Sequence, residues 1–140
     1  MKDSLEYAAV LPAGKYVIAD PCYLLSSPDY DRILSETKFF GYPKNTFDGN
    51  IIWKDSRTGL MFSVLSTAHG DGTYSDNIGN QYPVDAGCIG CIPEEMANNP
   101  NEWYDFNRVK FDDTVQVRMS GGVLQFGHII INTDEENCDD

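Results

Sequence analysis

The stretch Val115-Gln116-Val117-Arg118-Met119-Ser120-Gly121-Gly122-Val123-Leu124-Gln125-Phe126 decides the fold class. Apolar and polar residues alternate up to Met119, the period of a half-buried strand, and Ser120-Gly121-Gly122-Val123 supplies a two-residue primed turn. Such a turn fixes the register. With Gly121 and Gly122 as the loop, Ser120 faces Val123, Met119 faces Leu124, Val117 faces Phe126 and Val115 faces His128. Val115, Val117, Met119, Leu124 and Phe126 then share an inward face with His128, while Gln116, Arg118 and Gln125 point outward. His128 is expected to be a partly buried, hydrogen-bonded core histidine.

The rest of the chain is punctuated in the same way. Leu11-Pro12-Ala13-Gly14 reads as a tight turn joining strands near 6–10 and 15–19. Ser27-Pro28 opens a helix, with Asp29 and Asp31 at its positive end, Tyr30, Ile33, Leu34 and Thr37 on one packing face, and Gly41 and Pro43 ending it. Segments 51–53 and 60–65 flank the loop Asp55-Ser56-Arg57-Thr58-Gly59 as a hairpin. Both faces of 60–65 are largely apolar, so that strand belongs in the middle of a sheet, covered by the helix or by a second sheet. A short helix near 93–97 is stopped by Asn98-Asn99-Pro100-Asn101, and Asn77-Ile78-Gly79-Asn80 is a further turn. The expected fold is mainly β with minor α, an antiparallel curled sheet or sandwich with one main helix packed against it. Residues 1–133 read as a single β-rich domain and 134–140, with five carboxylates in seven residues, as an acidic C-terminal tail.

Composition narrows the function classes. The 140 residues are 41% apolar and 12% aromatic, enough for a packed core, and carry a net charge of -12. The acidity lies in the second half. Residues 1–70 hold 8 carboxylates against 7 Lys and Arg, and residues 71–140 hold 14 against 3. Without a basic stripe to neutralise phosphates, direct nucleic-acid binding is not expected; an acidic surface instead suits a partner with a basic surface. No apolar run approaches the ~20 residues of a membrane span, and the start has no signal-peptide pattern, so a cytoplasmic protein is expected. In that compartment Cys22, Cys88, Cys91 and Cys138 are expected as reduced thiols.

Candidate site residues gather in the middle of the chain. Ser66-Thr67-Ala68-His69-Gly70-Asp71-Gly72-Thr73-Tyr74-Ser75-Asp76 and Tyr82-Pro83-Val84-Asp85-Ala86-Gly87-Cys88 set permissive glycines beside groups that bind, titrate or coordinate. The ligand or partner site is assigned to Asp20, Cys22, His69, Gly70, Asp71, Gly72, Tyr74, Tyr82 and Asp85. The turn at Asp20-Pro21-Cys22 is expected to lie against Gly70-Asp71-Gly72 and Asp85-Ala86-Gly87 and complete one concave rim. Tyr74 and Tyr82 would line a pocket there, and Trp103, Tyr104 and Phe106 add aromatic surface in the acidic half.

The elements Asp20-Pro21-Cys22-Tyr23 and Gly70-Asp71-Gly72 through Tyr82-Pro83-Val84-Asp85-Ala86-Gly87 resemble those of small uncharacterised β-rich proteins encoded by bacteriophages and bacteria. The resemblance spans about residues 14–93 and implies an accessory protein that binds a host protein or a signalling nucleotide.

The reading from these residues is a non-enzymatic acidic binding protein, with a host protein or small ligand as partner and no cofactor. A nucleotide- or small-ligand-binding protein is the first alternative, with glycine amides of Gly70-Asp71-Gly72 and Lys15, Lys54 or Arg57 supplying donors. A Cys/His-dependent or metal-assisted hydrolase is the second. It would use Cys22 or Cys88 as nucleophile, His69 as base and Asp20, Asp71 or Asp85 as the orienting carboxylate. Cys88-Ile89-Gly90-Cys91 has the spacing of half a zinc site, but strand alternation would turn the two thiols to opposite faces. Asp71 to Tyr82 fails the calcium-loop pattern at its sixth and twelfth positions.

Overall fold

The computed structural model describes residues 6–37, 51–85, 87–97 and 107–134. Among the described residues eleven strands run in chain order: β1 Glu6–Leu11, β2 Gly14–Ala19, β3 Ile52–Lys54, β4 Met61–Ser66, β5 Gly72–Ser75, β6 Gln81–Val84, β7 Cys88–Pro93, β8 Asn107–Phe111, β9 Val115–Ser120, β10 Val123–Phe126 and β11 Ile129–Asn132. One helix, α1 Ser27–Thr37, and single 3-10 turns at Pro21–Tyr23 and Glu94–Met96 complete the described elements. The sequence-based ends of the helix at Gly41 and Pro43, and the stop at 98–101, lie outside the described residues.

All pairing among the described strands is antiparallel. One sheet has the order β1-β9-β10-β11, a second β3-β4-β7-β2-β8, and β5-β6 is a separate hairpin. The two larger sheets pack as an open sandwich and do not close into a barrel. Leu11, Tyr16, Ile18, Leu65, Ile89, Cys91, Val115, Val117, Leu124 and Phe126 fill the space between them. Val17, Phe62, Val64, Cys88 and Ile92 face the other way and pack with Leu24, Leu25, Ile33 and Met96 beneath α1 and the 3-10 turns. The second sheet is therefore covered twice, once by the first sheet and once by the helical layer. Its strand β4 shows why: Leu65 belongs to one core and Phe62 and Val64 to the other.

The hairpin of β9 and β10 has the expected register up to Val117 opposite Phe126. Gly121 takes φ +60, the left-handed value that the first central position of a II′ turn requires. The expectation for His128 is corrected. Gly127, at φ +62, reverses the chain immediately after Phe126, its N–H donates to the Gln116 carbonyl at 2.8 Å, and Phe126 then faces Ile129. His128 is the exposed second residue of that turn, its ring 5.6 Å from the Phe111 ring, and Ile129 and Ile131 take the inward positions instead.

The loop joining β3 to β4 is tied to α1 by charge. The fully buried Asp55 accepts from Thr58 N at 3.0 Å, Thr58 Oγ1 at 2.6 Å and Arg32 Nη2 at 2.5 Å, and Arg32 also pairs with Asp29. Burial alone would raise the Asp55 carboxyl, but the Thr58 hydroxyl and the Arg32 guanidinium outweigh it and hold the group below its ordinary range. The unfolded chain therefore takes up this proton first as pH falls. Stability from Asp55 is complete above the unfolded value, near 4, and is lost as pH drops through the folded value.

Two outcomes are expected. Asp55→Ala should cost about 3 kcal/mol in urea titrations at pH 7, since it leaves the Thr58 amide and hydroxyl without their acceptor and takes from Arg32 one of its two carboxylates, and the difference from wild type should shrink as pH is lowered from 5 to 3. Gly127→Ala should be more damaging than Gly59→Ala. Both have left-handed φ, but a Cβ at 127 would meet Phe111 Cε1 at 2.6 Å whereas one at 59 meets nothing within 4 Å. The overpacking should add about 1–3 kcal/mol to the backbone strain that both variants share.

Candidate functional site

The rim begins with one buried carboxylate. Ala19 ends β2, Pro21 presets the first position of the 3-10 turn, and Asp20 caps it, accepting from Cys22 N at 3.0 Å through Oδ1. Its other oxygen accepts from Asp85 N at 2.8 Å, 65 residues away. Tyr23 follows by donating its hydroxyl to Asp85 Oδ2 at 2.5 Å. Gly90 permits the turn to sit on β7, because a Cβ there would meet Pro21 Cγ at 3.2 Å and the Ile92 side chain at 3.1 Å.

A second set of bonds joins the middle loop to both neighbours. Thr67 N donates to the Gly87 carbonyl at 3.0 Å and Thr67 Oγ1 to the Gly70 carbonyl at 2.8 Å, which also accepts from Tyr74 OH at 2.9 Å. On its far side Ala68 N donates to Thr133 Oγ1 at 2.9 Å, and that hydroxyl donates to the Gly122 carbonyl at 2.6 Å. Gly122 fits under the loop only as glycine, since a Cβ would lie 2.8 Å from Ala68 Cβ and 2.5 Å from Asp134 Oδ1. The rim thus joins residues 20–23, 67–72, 85, 87, 121–122 and 133–134 at one end of the sandwich. Ala86 lies outside the described residues.

The convergence of Asp20, Asp85, Gly70 and Gly87 matches the expected common rim, but the expected uses of several side chains change. His69 is exposed and its Nε2 lies 3.0 Å from the Asp134 carbonyl. A carbonyl only accepts, so Nε2 carries the hydrogen and is spent on the 133–134 turn. Cys22 keeps company with Asp20 and Asp85 instead. Burial, then the Asp20 carboxylate, push its thiol far above the ordinary range, the reverse of what a nucleophile needs. Tyr74 and Tyr82 do not line a pocket. Both rings are in the core, and Tyr82 OH donates to Asp76 Oδ2 at 2.6 Å while accepting from Asn107 Nδ2 at 2.7 Å. Asp76 also receives the amides of Ile78 and Asn80, both at 2.9 Å, so it organises the turn between β5 and β6. Asp71 and Asp85 are exposed, and Asp71 enters β5 at the opposite end from Asp76.

Cys88 and Cys91 face opposite cores, as alternation along β7 predicts, so they cannot chelate one ion together. Burial raises both thiols. Among the described residues no group of three or more His, Cys, Asp or Glu is placed to hold a metal ion. Cys138, Trp103, Tyr104 and Phe106 lie outside the described residues.

Three residues that the sequence reading did not assign hold the rim together. Tyr23 stood within the quoted Asp20-Pro21-Cys22-Tyr23 element, and Thr67 beside His69, so proximity to a glycine-rich turn was their only signal. Thr133 had none, because its partners Ala68 and Gly122 reach it only through the fold.

The rim is electrostatically one-sided. Asp71, Asp85 and Asp134 are exposed on it, Asp20 is buried beneath Asp85, and its described segments contain no Lys or Arg. Lys15, Lys54, Arg57 and Lys110 sit toward the other end of the second sheet, near the β3–β4 loop and the start of β2. No family model matches the chain, and neither a curated protein nor a solved structure matches it. Among the described residues no helix is long and apolar enough to cross a membrane.

Alkylation tests the state of Cys22. At pH 8 its reaction with iodoacetamide, followed by peptide mapping, should be more than roughly tenfold slower than that of a free cysteine peptide, because each unit of upward shift removes about tenfold of the thiolate. Asp20→Asn should speed it by removing the neighbouring charge. A Cys22 that labels as fast as the free peptide would contradict the protonated, shielded thiol.

Proposed function

We propose that this chain is a non-enzymatic binding protein that engages a partner's basic surface through its acidic rim. The observation that carries this reading is the convergence of Asp71, Asp85 and Asp134 on one end of the sandwich with no cation among the rim's described segments. Such a patch raises encounter rates with a positively charged surface and selects against acidic partners. The bonds from Asp20 to Asp85 N, from Thr67 to Gly87 and Gly70, and from Thr133 to Gly122 limit how far the patch can rearrange, which lowers the ordering cost of association. A hydrolytic reading lacks this kind of support: Cys22 is held protonated and His69 Nε2 is engaged by Asp134. An accessory role toward a host protein in a bacterial cytoplasm, implied by the resemblance of the 20–23 and 70–87 elements, belongs to the same proposal.

Calorimetry with a short arginine-rich peptide, at two ionic strengths, tests the rim. Binding should weaken with salt, and Asp71→Asn/Asp85→Asn/Asp134→Asn should lower affinity by about tenfold, the sum of three exposed charges at roughly 0.5 kcal/mol each. Asp112→Asn/Asp113→Asn, exposed carboxylates on the turn between β8 and β9, should change it far less. Equal losses from the two sets would mean that net charge alone attracts the peptide, and the rim assignment would fall.

A further inference from the structure

The four outer strands of the two sheets are not protected alike. β3 is only three residues long. β8 carries exposed Arg108 and Lys110, charges that discourage a further strand. β11 is blunted by the β5–β6 hairpin: Asp76 bridges to Ile131, and the Ile130 amide, which points off the sheet, donates to Asn77 Oδ1 at 3.0 Å. In β1 the charge is confined to the first residue, Glu6, and among the described residues Tyr7 to Leu11 have none of these devices. Its six residues pair with β9 without a bulge from Glu6 opposite Ser120 to Leu11 opposite Val115, and Tyr7-Ala8-Ala9-Val10-Leu11 contains neither charge nor proline.

The register states which backbone groups are left over. In the two-residue hairpin Ser120 and Val123 exchange bonds, so Ser120, Arg118 and Gln116 direct their amides and carbonyls toward β10, as the Gly127 N to Gln116 O bond confirms. Met119, Val117 and Val115 therefore bond Tyr7, Ala9 and Leu11. Ala8 and Val10 are left with N–H and C=O directed off the free edge, and among the described residues neither finds a partner there. Their side chains are exposed on the outer face, Val10 to 46%.

We infer that the free edge of β1 is a homodimer interface, at which a second copy adds its own β1 antiparallel across a twofold axis to make one continuous sheet. The strand is complementary to itself. Centred on Ala9, the pairing sets Ala8 opposite Val10 of the other copy and Val10 opposite its Ala8, so the open amides of these two residues meet open carbonyls and each of the two pairs exchanges two bonds, while Glu6 falls opposite Pro12 beyond the strand end. Tyr7 then faces Leu11 on the inner side, and small apolar Ala8 and Val10 meet on the outer side. Sliding toward the turn would set Ala8 against Pro12, which has no N–H, so this register is favoured over that one. Charge selects the same place. A chain of net charge -12 repels its copy over most of its surface, but on the outer face of the first sheet Arg118 is the one charge among the described side chains. A second copy is thus the occupant that the uncharged, self-complementary segment Tyr7 to Leu11 fits, through strand addition.

The full chain should sediment as a reversible dimer at tens of micromolar concentration. Val10→Lys, which alters only an outward side chain on the edge, should raise the dimer dissociation constant by roughly tenfold or more, whereas Gln116→Lys, the same charge one strand inward, should change it little. Val10→Pro, which removes the edge N–H, should have at least the effect of Val10→Lys. Amide exchange gives a readout independent of variant folding. The Ala8 and Val10 amides should exchange fast in dilute protein and slow with increasing concentration, while Tyr7, Ala9 and Leu11 stay protected throughout. A chain monomeric at all concentrations, a dimer indifferent to Val10→Lys and Val10→Pro, or Ala8 and Val10 amides protected equally at every concentration would each overturn the inference.

Discussion

Burial of one sheet on both faces is the constraint from which the rest of the structure follows. β2, β4 and β7 send alternate side chains into two different cores, Ile18, Leu65 and Cys91 toward the first sheet and Val17, Phe62, Val64 and Cys88 toward α1. A strand apolar on both sides exposes greasy surface unless it is covered twice, so a single curled sheet could not satisfy this chain. Three layers result, with β3 and β8 left as the second sheet's edges. The helix and the two 3-10 turns are pinned in turn, since Leu24, Leu25, Ile33 and Met96 pack into the core on that face.

The same arrangement gathers the loops. β2 and β4 end, and β7 begins, at one end of the second sheet, so the turns that leave them must pass close together. Asp20 converts that proximity into fixed geometry. A carboxylate with no solvent exposure is costly unless its oxygens are bonded, and here one takes the Cys22 amide and the other the Asp85 amide. Thr133 does the corresponding work for the first sheet, joining the β9–β10 turn to Ala68. The outcome is an end of the molecule whose backbone is cross-braced and whose exposed side chains are acidic.

Charge and backbone thus divide the surface into regions of different character. The rim collects Asp71, Asp85 and Asp134, while Lys15 lies directly opposite Lys110 on neighbouring strands near the other end. Like charges so placed repel. On the β8 edge they also discourage a further strand, and the uncharged run Tyr7 to Leu11 of β1 is the contrast that makes this visible.

The amino-acid sequence determined what local periodicity and turn chemistry control. The alternation of Val115 to Met119 and the Gly121-Gly122 turn set the β9–β10 register; Ser27-Pro28 set the start of α1; and the two apolar faces of residues 60–65 placed β4 inside a sheet. The gathering of residues 20–23, 67–72, 85 and 87 was also legible, because glycine- and proline-rich turns at the ends of apolar strands mark where loops collect. Tertiary structure alone decided how those groups are used. His128 left the core because Gly127 offered a left-handed turn one residue earlier than alternation would extend, and Ile129 and Ile131 filled the space. His69 went to Asp134, 65 residues away, while Tyr74 and Tyr82 went inward onto near neighbours in sequence, Gly70 and Asp76, and Cys22 was held as a thiol by burial and by Asp20. Hydrogen-bond partners at a separation of 65 residues leave no trace in local spacing, because only the packing of the sheets brings them together.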